Sequence, residues 1–458
     1  MTAIARLSML VGVGALVLCA AGAEGAPRRK TTRQQAIDRM KPYAGKHVRG
    51  VDTSTMHKKV MCGYQGWFSA QGDGTGQRWD HYSSGGRFEP GHCSIDLWPD
   101  VSELDADEKY VTSFKHKNGS PAHVFSSHNR KTVLRHFKWM KEYGIDGVFL
   151  QRFGATIKSG RGLAGRTIVT SNVQAGANLH GRTWAMMYDL SGLRAGDIEK
   201  YVIADWKLLI DRMRITRDKA YLRHNGKPVV GVWGVGFNDN RRYSLAECRR
   251  LVKFLKSDRT YGSNTVVLGV PTGWRTLTRD SIKDKALHEV IRLADVVSPW
   301  TIGRYETPGQ AQEHAKTTAR ADLAWCGSAG KEYLPVIFPG FSWRNMMKGR
   351  RADATLGQIP RRKGAFLWSQ AVANRKIGAN MTYVAMFDEI DEATAIFKCT
   401  NDPPVGASEF LTYEGVPSDH YLWLTGQVRR LVRNEIPASP DAPKRAKSKK
   451  PRLKTVRR

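Results

Sequence analysis

The chain has 458 residues, of which 41% are hydrophobic and 25% charged, enough to bury a sizeable core and too apolar for global disorder. Aromatic residues reach 9%, with 13 tryptophans, and the formal net charge is +31. At about 150 residues per domain, this length allows two or three ordinary domains or one large barrel.

Residues 1–26 read as a secretory signal peptide, which predicts a secreted or periplasmic protein. Arg6 supplies the positive start, Leu7 to Ala21 the apolar run, and Ala21-Gly22-Ala23 a cleavage pattern of small residues. That run is too short to span a bilayer, and no other stretch approaches the length a span needs. Five cysteines remain after cleavage (Cys62, Cys93, Cys248, Cys326 and Cys399), with no CxxC pair and no even framework. Residues 27–57 are basic and polar and read as a linker, and 58–434 form the folded body. From Glu435 to the end, nine Lys/Arg and four Pro with almost nothing apolar predict a disordered basic tail.

Eight short, nearly continuous apolar runs mark strands buried on both faces of a parallel sheet. In chain order they are 60–68, 147–153, 183–190, 228–235, 265–271, 295–300, 334–340 and 382–389. Amphipathic helical stretches lie between them, clearest at 130–143, 197–213, 244–257 and 309–326. Eight strand–helix units predict an α/β fold of the (β/α)8 TIM-barrel type, with long loops at 69–129 and 340–364 on the C-terminal face.

In such a barrel the working residues sit at the C-terminal ends of the strands. The first strand delivers Tyr64, Gln65 and Trp67 there, and the second Gln151 and Arg152. The third ends in Tyr188 and Asp189, the fourth in Trp233, the sixth in Trp300. The eighth brings Asp388, Glu389, Asp391 and Glu392. Flat rings beside hydrogen-bonding groups and carboxylates suit a sugar, which has apolar faces to stack and hydroxyls to satisfy. Glu389 and Glu392 become neighbours at roughly 5–6 Å if the backbone between them turns, close to what a retaining glycosidase needs. The bland reading makes Asp391 and Glu392 first-turn acids of the next helix.

The segment MFDEIDEATAIF (386–397) resembles a motif of glycoside hydrolase families 71 and 99, NEWHEGTQIE, found at the end of a late barrel strand. Aligned without gaps, Asp388 falls on the motif Asn, and Glu389 and Glu392 on its two glutamates. YLRHNGKPVV (221–230) resembles the family's lead into a central strand. MCGYQGWF, IDLWPDVSE and RHFKWMKEYGIDGVFLQRF are similar to a bacterial 71/99-like subgroup. The resemblance runs over about residues 60–430. It departs where Trp and His become Ile390 and Asp391, and where Gly becomes Ala393. It implies a (β/α)8 barrel and retaining cleavage. The first glutamate, Glu389, would deprotonate the sugar's own 2-hydroxyl to give a transient anhydrosugar. The second, Glu392, would protonate the leaving oxygen and then activate water.

Other chemistries find less support. His116, His123 and His128 match no zinc spacing, the glycines at 72–76 lack the Lys-Ser/Thr of a phosphate loop, and no G-x-S-x-G elbow is present. No metal and no cofactor is therefore expected. The basic residues of the body are spread along the chain without a recognisable module, which argues against specific nucleic-acid binding. They fit an anionic glycan or its surroundings, to which the tail would adsorb. The sequence thus predicts an exported glycoside hydrolase, with a non-catalytic carbohydrate-binding barrel as the alternative.

Overall fold

The computed structural model describes residues 31–347 and 354–445. The expected signal peptide and the last thirteen residues of the expected tail lie outside the described residues. Six strands pair in parallel and in chain order: β1 (Val60–Tyr64), β2 (Gly147–Phe153), β3 (Thr183–Asp189), β4 (Lys227–Trp233), β5 (Thr265–Pro271) and β6 (Val296–Trp300). The seventh, β7, comes in two pieces. Glu332–Tyr333 pairs with β6, and Val336–Ile337 pairs with β8 (Thr382–Val384), which in turn pairs with β1. Pro335 lies between the pieces and has no N–H to give either neighbour. The chain changes partners there: the Leu334 amide bonds Val297 and the Pro335 carbonyl bonds Tyr383, each at 2.9 Å. The result is the (β/α)8 barrel. β3 and β5 are buried at every position, which is why their sequences run apolar without alternation.

The helices predicted at 130–143 and 244–257 form as Arg130–Tyr143 and Leu245–Ser257. Asn129 and Ser244 accept from backbone amides at their starts. The other two stretches are interrupted by π turns, at Ile198–Ile203 and Leu209–Met213 and at Ala315–Ala319. The helix Gly160–His180 escaped the sequence reading because it lacks an apolar stripe. Arg166, Thr167, Thr170, Asn172, Gln174 and Asn178 are buried in it alongside its apolar residues. The long loop after β1 carries a hairpin, Tyr110–Lys115 with Pro121–Val124, and an aromatic group of Phe88, Trp98, Phe114 and Phe410 that extends the barrel core. The five cysteines among the described residues are free thiols.

Two boundaries need correction. The expected linker holds a short helix, Arg33–Asp38, whose Ala36 is fully buried. The expected tail begins with packed chain: the Trp368 indole donates to Ser439 O at 3.0 Å, and Arg445 clamps Asp419 at 2.5 and 2.6 Å. A buried indole needs an acceptor and a guanidinium a carboxylate, and these residues supply them.

At the N-terminal end, Glu332 ties three segments together. His57 Nε2 lies 2.5 Å from one carboxylate oxygen and His224 Nε2 2.6 Å from the other. The Met56 amide donates to His224 Nδ1 at 3.0 Å, so the proton of the neutral ring sits on Nε2 and points at Glu332. Burial alone would raise the Glu332 carboxyl, but the two imidazoles outweigh it and hold it at about 2. A lowered folded pKa contributes stability above the ordinary carboxylate range, and this is lost as pH falls from about 4.5 towards 2. Glu332→Gln should therefore cost about 2 kcal/mol at neutral pH in urea unfolding, with the deficit vanishing in acid.

Candidate active site

The four acids after β8 sit on a turn and not on a helix, since the next helix is His420–Val432. The reading that made Asp391 and Glu392 first-turn helix acids therefore fails. The turn is drawn tight by the Thr394 and Ala395 amides, which both bond Glu389 O, at 3.1 and 2.9 Å. Ala393 stands in the left-handed region with φ 56°, where glycine is at ease and alanine is not. This is the place where the family motif has Gly. Ala393→Gly should leave stability unchanged or higher by about 1 kcal/mol, relief of strain offsetting the gain in unfolded-state freedom. A thermal melt reads this directly.

Each acid has its own surroundings. Asp388 is fully buried and accepts from the Gln65 amide at 2.7 Å and the Gly66 amide at 2.9 Å. Burial pushes its carboxyl up to about 7, while the two amides pull the other way. It fastens the end of β1 to the turn and is not a substrate contact, which corrects that expectation. Gly66 has φ 55°, and a Cβ there would meet Val169 at 2.6 Å, so this junction requires glycine. Glu389 is held on both oxygens, by Gln65 Nε2 and by Thr394 Oγ1, each at 2.5 Å. Burial and then the charge of Asp391 raise its pKa. The Glu392 carboxylate accepts no hydrogen bond among the described residues. Burial, followed by Glu389, Asp391, Asp96 and Asp189, pushes it well above the carboxylate range. Asp391 meets His81 Nδ1 at 3.2 Å, and burial raises the acid and lowers the imidazole.

Pleating sorts the remaining candidates. Successive strand residues face opposite sides, so the neighbours Gln151 and Arg152, like Tyr188 and Asp189, cannot both enter the barrel mouth. Gln151 faces inward and donates to the Tyr383 hydroxyl at 2.9 Å. Arg152 faces the helices and forms a buried two-pronged pair with Asp205, at 2.6 and 2.7 Å. Tyr188 joins it there, donating to Asp205 at 2.7 Å. Tyr64 also points outward, to His136 at 2.9 Å. The expectation that Tyr64, Arg152 and Tyr188 bind substrate is thus corrected: all three are core contacts.

The inward set shares one end of the barrel. Trp67 stacks on His81 with ring centres 3.9 Å apart and meets Phe153 at 5.2 Å. Trp233 crosses Trp300 at 5.4 Å, and Trp300 meets Tyr383 at 6.2 Å. Gly269 makes room for the Trp233 indole, which a Cβ would meet at 2.4 Å. The indole nitrogens of Trp67 and Trp233 are buried donors without acceptors among the described residues. Asp189, in register with Trp233, completes the row, its carboxyl raised by burial to about 6.

Several residues here were not singled out from sequence. Thr394 has a signal in the motif itself, which carries threonine at that place. Asp96 lies within IDLWPDVSE, and burial lifts its carboxyl to about 7. His81 and Tyr383 carry no local signal, because a distant loop and the pleat bring them in.

The arrangement can do acid–base chemistry on a ring-shaped polar ligand: one carboxylate fixed, one without a hydrogen bond from the described residues, and indoles beside them. No family model matches the chain, and no curated protein matches it in sequence. Among solved structures, the GH99 endo-alpha-mannosidase from Bacteroides thetaiotaomicron aligns over 83% of this chain and 99% of its own, with a TM-score of 0.57 and 15% identity. A glycoside hydrolase-like protein aligns over 86% and 98%, with a TM-score of 0.51 and 13% identity. The likeness is one of fold, and the fold that this chain shares with both is the (β/α)8 barrel built above.

Proposed function

We propose that the chain is a glycoside hydrolase that cleaves a glycan with retention, through Glu389 and Glu392 and without a metal. The observation that carries this is the unequal setting of the two glutamates at the end of β8. Glu389 accepts two short hydrogen bonds, which favour its ionised form; Glu392 accepts none from the described residues and is pressed by neighbouring acids. When one proton is shared between them, it belongs on Glu392. Unequal carboxyls of this kind divide the roles of base and acid.

In the first step Glu389 takes the proton of the sugar's 2-hydroxyl, and that oxygen attacks the anomeric carbon. The bond to the leaving oxygen breaks as Glu392 gives it a proton. In the second step Glu392 takes a proton from water, the water oxygen attacks the anomeric carbon, and the strained ring opens as Glu389 returns its proton. Trp233 and Trp300 offer ring faces to the sugars, with Gln151 and Asp189 below them, while the Trp67 ring backs His81.

The test is release of reducing ends by the purified protein from a panel of neutral, amino and acidic polysaccharides. Cleavage of at least one, with the anomeric configuration retained by NMR, is the expected result. Binding without turnover across the panel would leave a carbohydrate-binding barrel instead.

A further inference from the structure

Five Lys/Arg side chains are buried among the described residues: Lys59, Arg152, Arg166, Arg361 and Lys398. Four of them have counterparts. Lys59 faces Asp52 at 3.7 Å, Arg152 is clamped by Asp205, and Lys398 is bonded to Glu103. Arg361 bonds the carbonyls of Ala393 and Ala395 and lies over the rings of Tyr413 and Tyr421. Arg166 has neither an ion pair nor a ring face among the described residues. A guanidinium has five donors, and here Arg166 uses one, from Nη1 to Gln65 O at 2.9 Å. Asp80 and Asp388 attract it without pairing with it, and Asp388 already accepts from two backbone amides. Outside the described residues the sequence holds only two acids, Glu24 in the expected signal peptide and Asp353. Burial accordingly pulls the Arg166 pKa down to about 10, and the like charge of Arg152 adds to this.

Its place is beside the first glutamate. The bond falls on Gln65, whose side chain grips Glu389, and the charge reaches His81, whose ring backs Trp67. Arg166 is 6% exposed, and none of its nitrogens is both sealed from solvent and unpartnered, so the unused donors open outward. The surroundings are basic as well. Loop 71–78 and the start of the helix that carries Arg166 border a cavity of about 1060 Å³, lined by Arg78 and Arg161 and by no carboxylate. Asp73, within that loop, turns inward to Ser69, Thr75 and Ser126. Gln77, in the cavity wall, lies against Gly165, the residue before Arg166; a Cβ there would meet Gln77 Nε2 at 2.4 Å.

A neutral sugar brings this guanidinium acceptors but no charge. Resting on the glycosidase reading, we infer that the glycan carries an oxyanion, a carboxylate or a sulfate, and that Arg166 receives it on the Glu389 side of the cleft. An oxyanion offers a guanidinium two acceptors in matching geometry together with the missing charge. The acids of the site agree with that side. Asp96, Asp189 and Asp391 all act on Glu392, and an anionic group placed among them would be repelled. At longer range the net charge of +31 draws a polyanion towards the protein.

The experiment measures binding of glucuronate, galacturonate and mannuronate, and of the 6-sulfates of glucose, galactose and mannose, each against its neutral parent sugar. Calorimetry on the full chain at about pH 7 and about 0.15 M salt keeps the oxyanions ionised and screens the surface charge. At least one acidic form should bind about 10-fold tighter or more than its parent, the size of a charge-assisted hydrogen bond. The carboxylate and sulfate arms tell which oxyanion is taken. Arg166→Met, checked for folding by circular dichroism, keeps most of the volume and should lose that ratio. Arg166→Lys keeps the charge without the fork and should shrink it, and this variant decides if Arg166→Met does not fold. Equal binding of acidic and neutral forms, no binding of any acidic form, or a ratio unchanged in the folded variant would overturn the proposal. An acidic preference that depends on Arg166, without cleavage of any glycan, would remove the glycosidase reading and keep the subsite. Cleavage without that preference would do the reverse.

Discussion

Glu392→Gln and Glu389→Gln should each lower turnover of a glycan at least about 10²-fold while the protein stays folded, the low end for a positioned acid or base. The two losses should differ in kind. A glutamine at 392 cannot protonate the leaving oxygen, and an aryl leaving group with a low pKa hardly needs that proton. An activated aryl glycoside should therefore recover much of the rate in Glu392→Gln and little in Glu389→Gln. The hydrogen bonds make the Glu389 variant informative in another way. Gln65 Nε2 and Thr394 Oγ1 both donate to the present carboxylate. A glutamine amide offers only one acceptor oxygen, so the side chain would also lose one anchor. Full activity in either variant, with loss at Asp391 instead, would move the chemistry to the acid that stands where the motif has His.

The pH profile follows from the same environments. The rate rises as Glu389 ionises and falls as Glu392 does, and burial lifts both above the ordinary carboxylate range. The bell should thus be centred nearer neutrality than two exposed carboxyls would place it. Removing Asp391 as a charge, in Asp391→Asn, should move both limbs to lower pH, because its charge raises both glutamates. An unmoved profile in that variant would separate Asp391 from the pair electrostatically.

The barrel was legible because buried parallel strands leave unbroken apolar runs, and β2 and β5 stand where the sequence put them, residue for residue. β8 was read too long. Its apolar run continues to Phe387, but the ladder ends at Val384, and the last apolar residues fold into the loop that carries the acids. Gly160–His180 was illegible for the opposite reason: covered on all sides, it has no polar face to set a period. The acids of the site were legible by motif. Its walls were only half so, because strand ends were read as clusters and not as alternating faces. Pleating alone would have separated Gln151 from Arg152 and Asp189 from Tyr188. His81 was beyond reach, since nothing in its neighbourhood says that its ring lies flat on Trp67.

Asp205→Ala should destabilise the protein by about 3–5 kcal/mol, the cost of leaving a buried charge without its partner. The carboxylate is fully buried and accepts from Arg152 Nε and Nη2 and from the Tyr188 hydroxyl. Its removal strands a guanidinium that is itself 1% exposed and keeps only Thr170, at 3.2 Å. Arg152→Ala should cost a similar amount, now by stranding the carboxylate and opening a cavity between β2 and the helix that follows β3. Replacing both partners by apolar residues of similar volume, Arg152→Met with Asp205→Leu, should restore most of the loss, because the desolvation cost of the pair disappears with it. Urea midpoints of the four proteins give the comparison, and kinetics adds the functional side. Since Arg152 faces the helices, KM in the stable double variant should stay within about twofold of the parent. A KM raised tenfold or more at unchanged stability would return Arg152 to the substrate cleft and overturn the assignment of faces along β2.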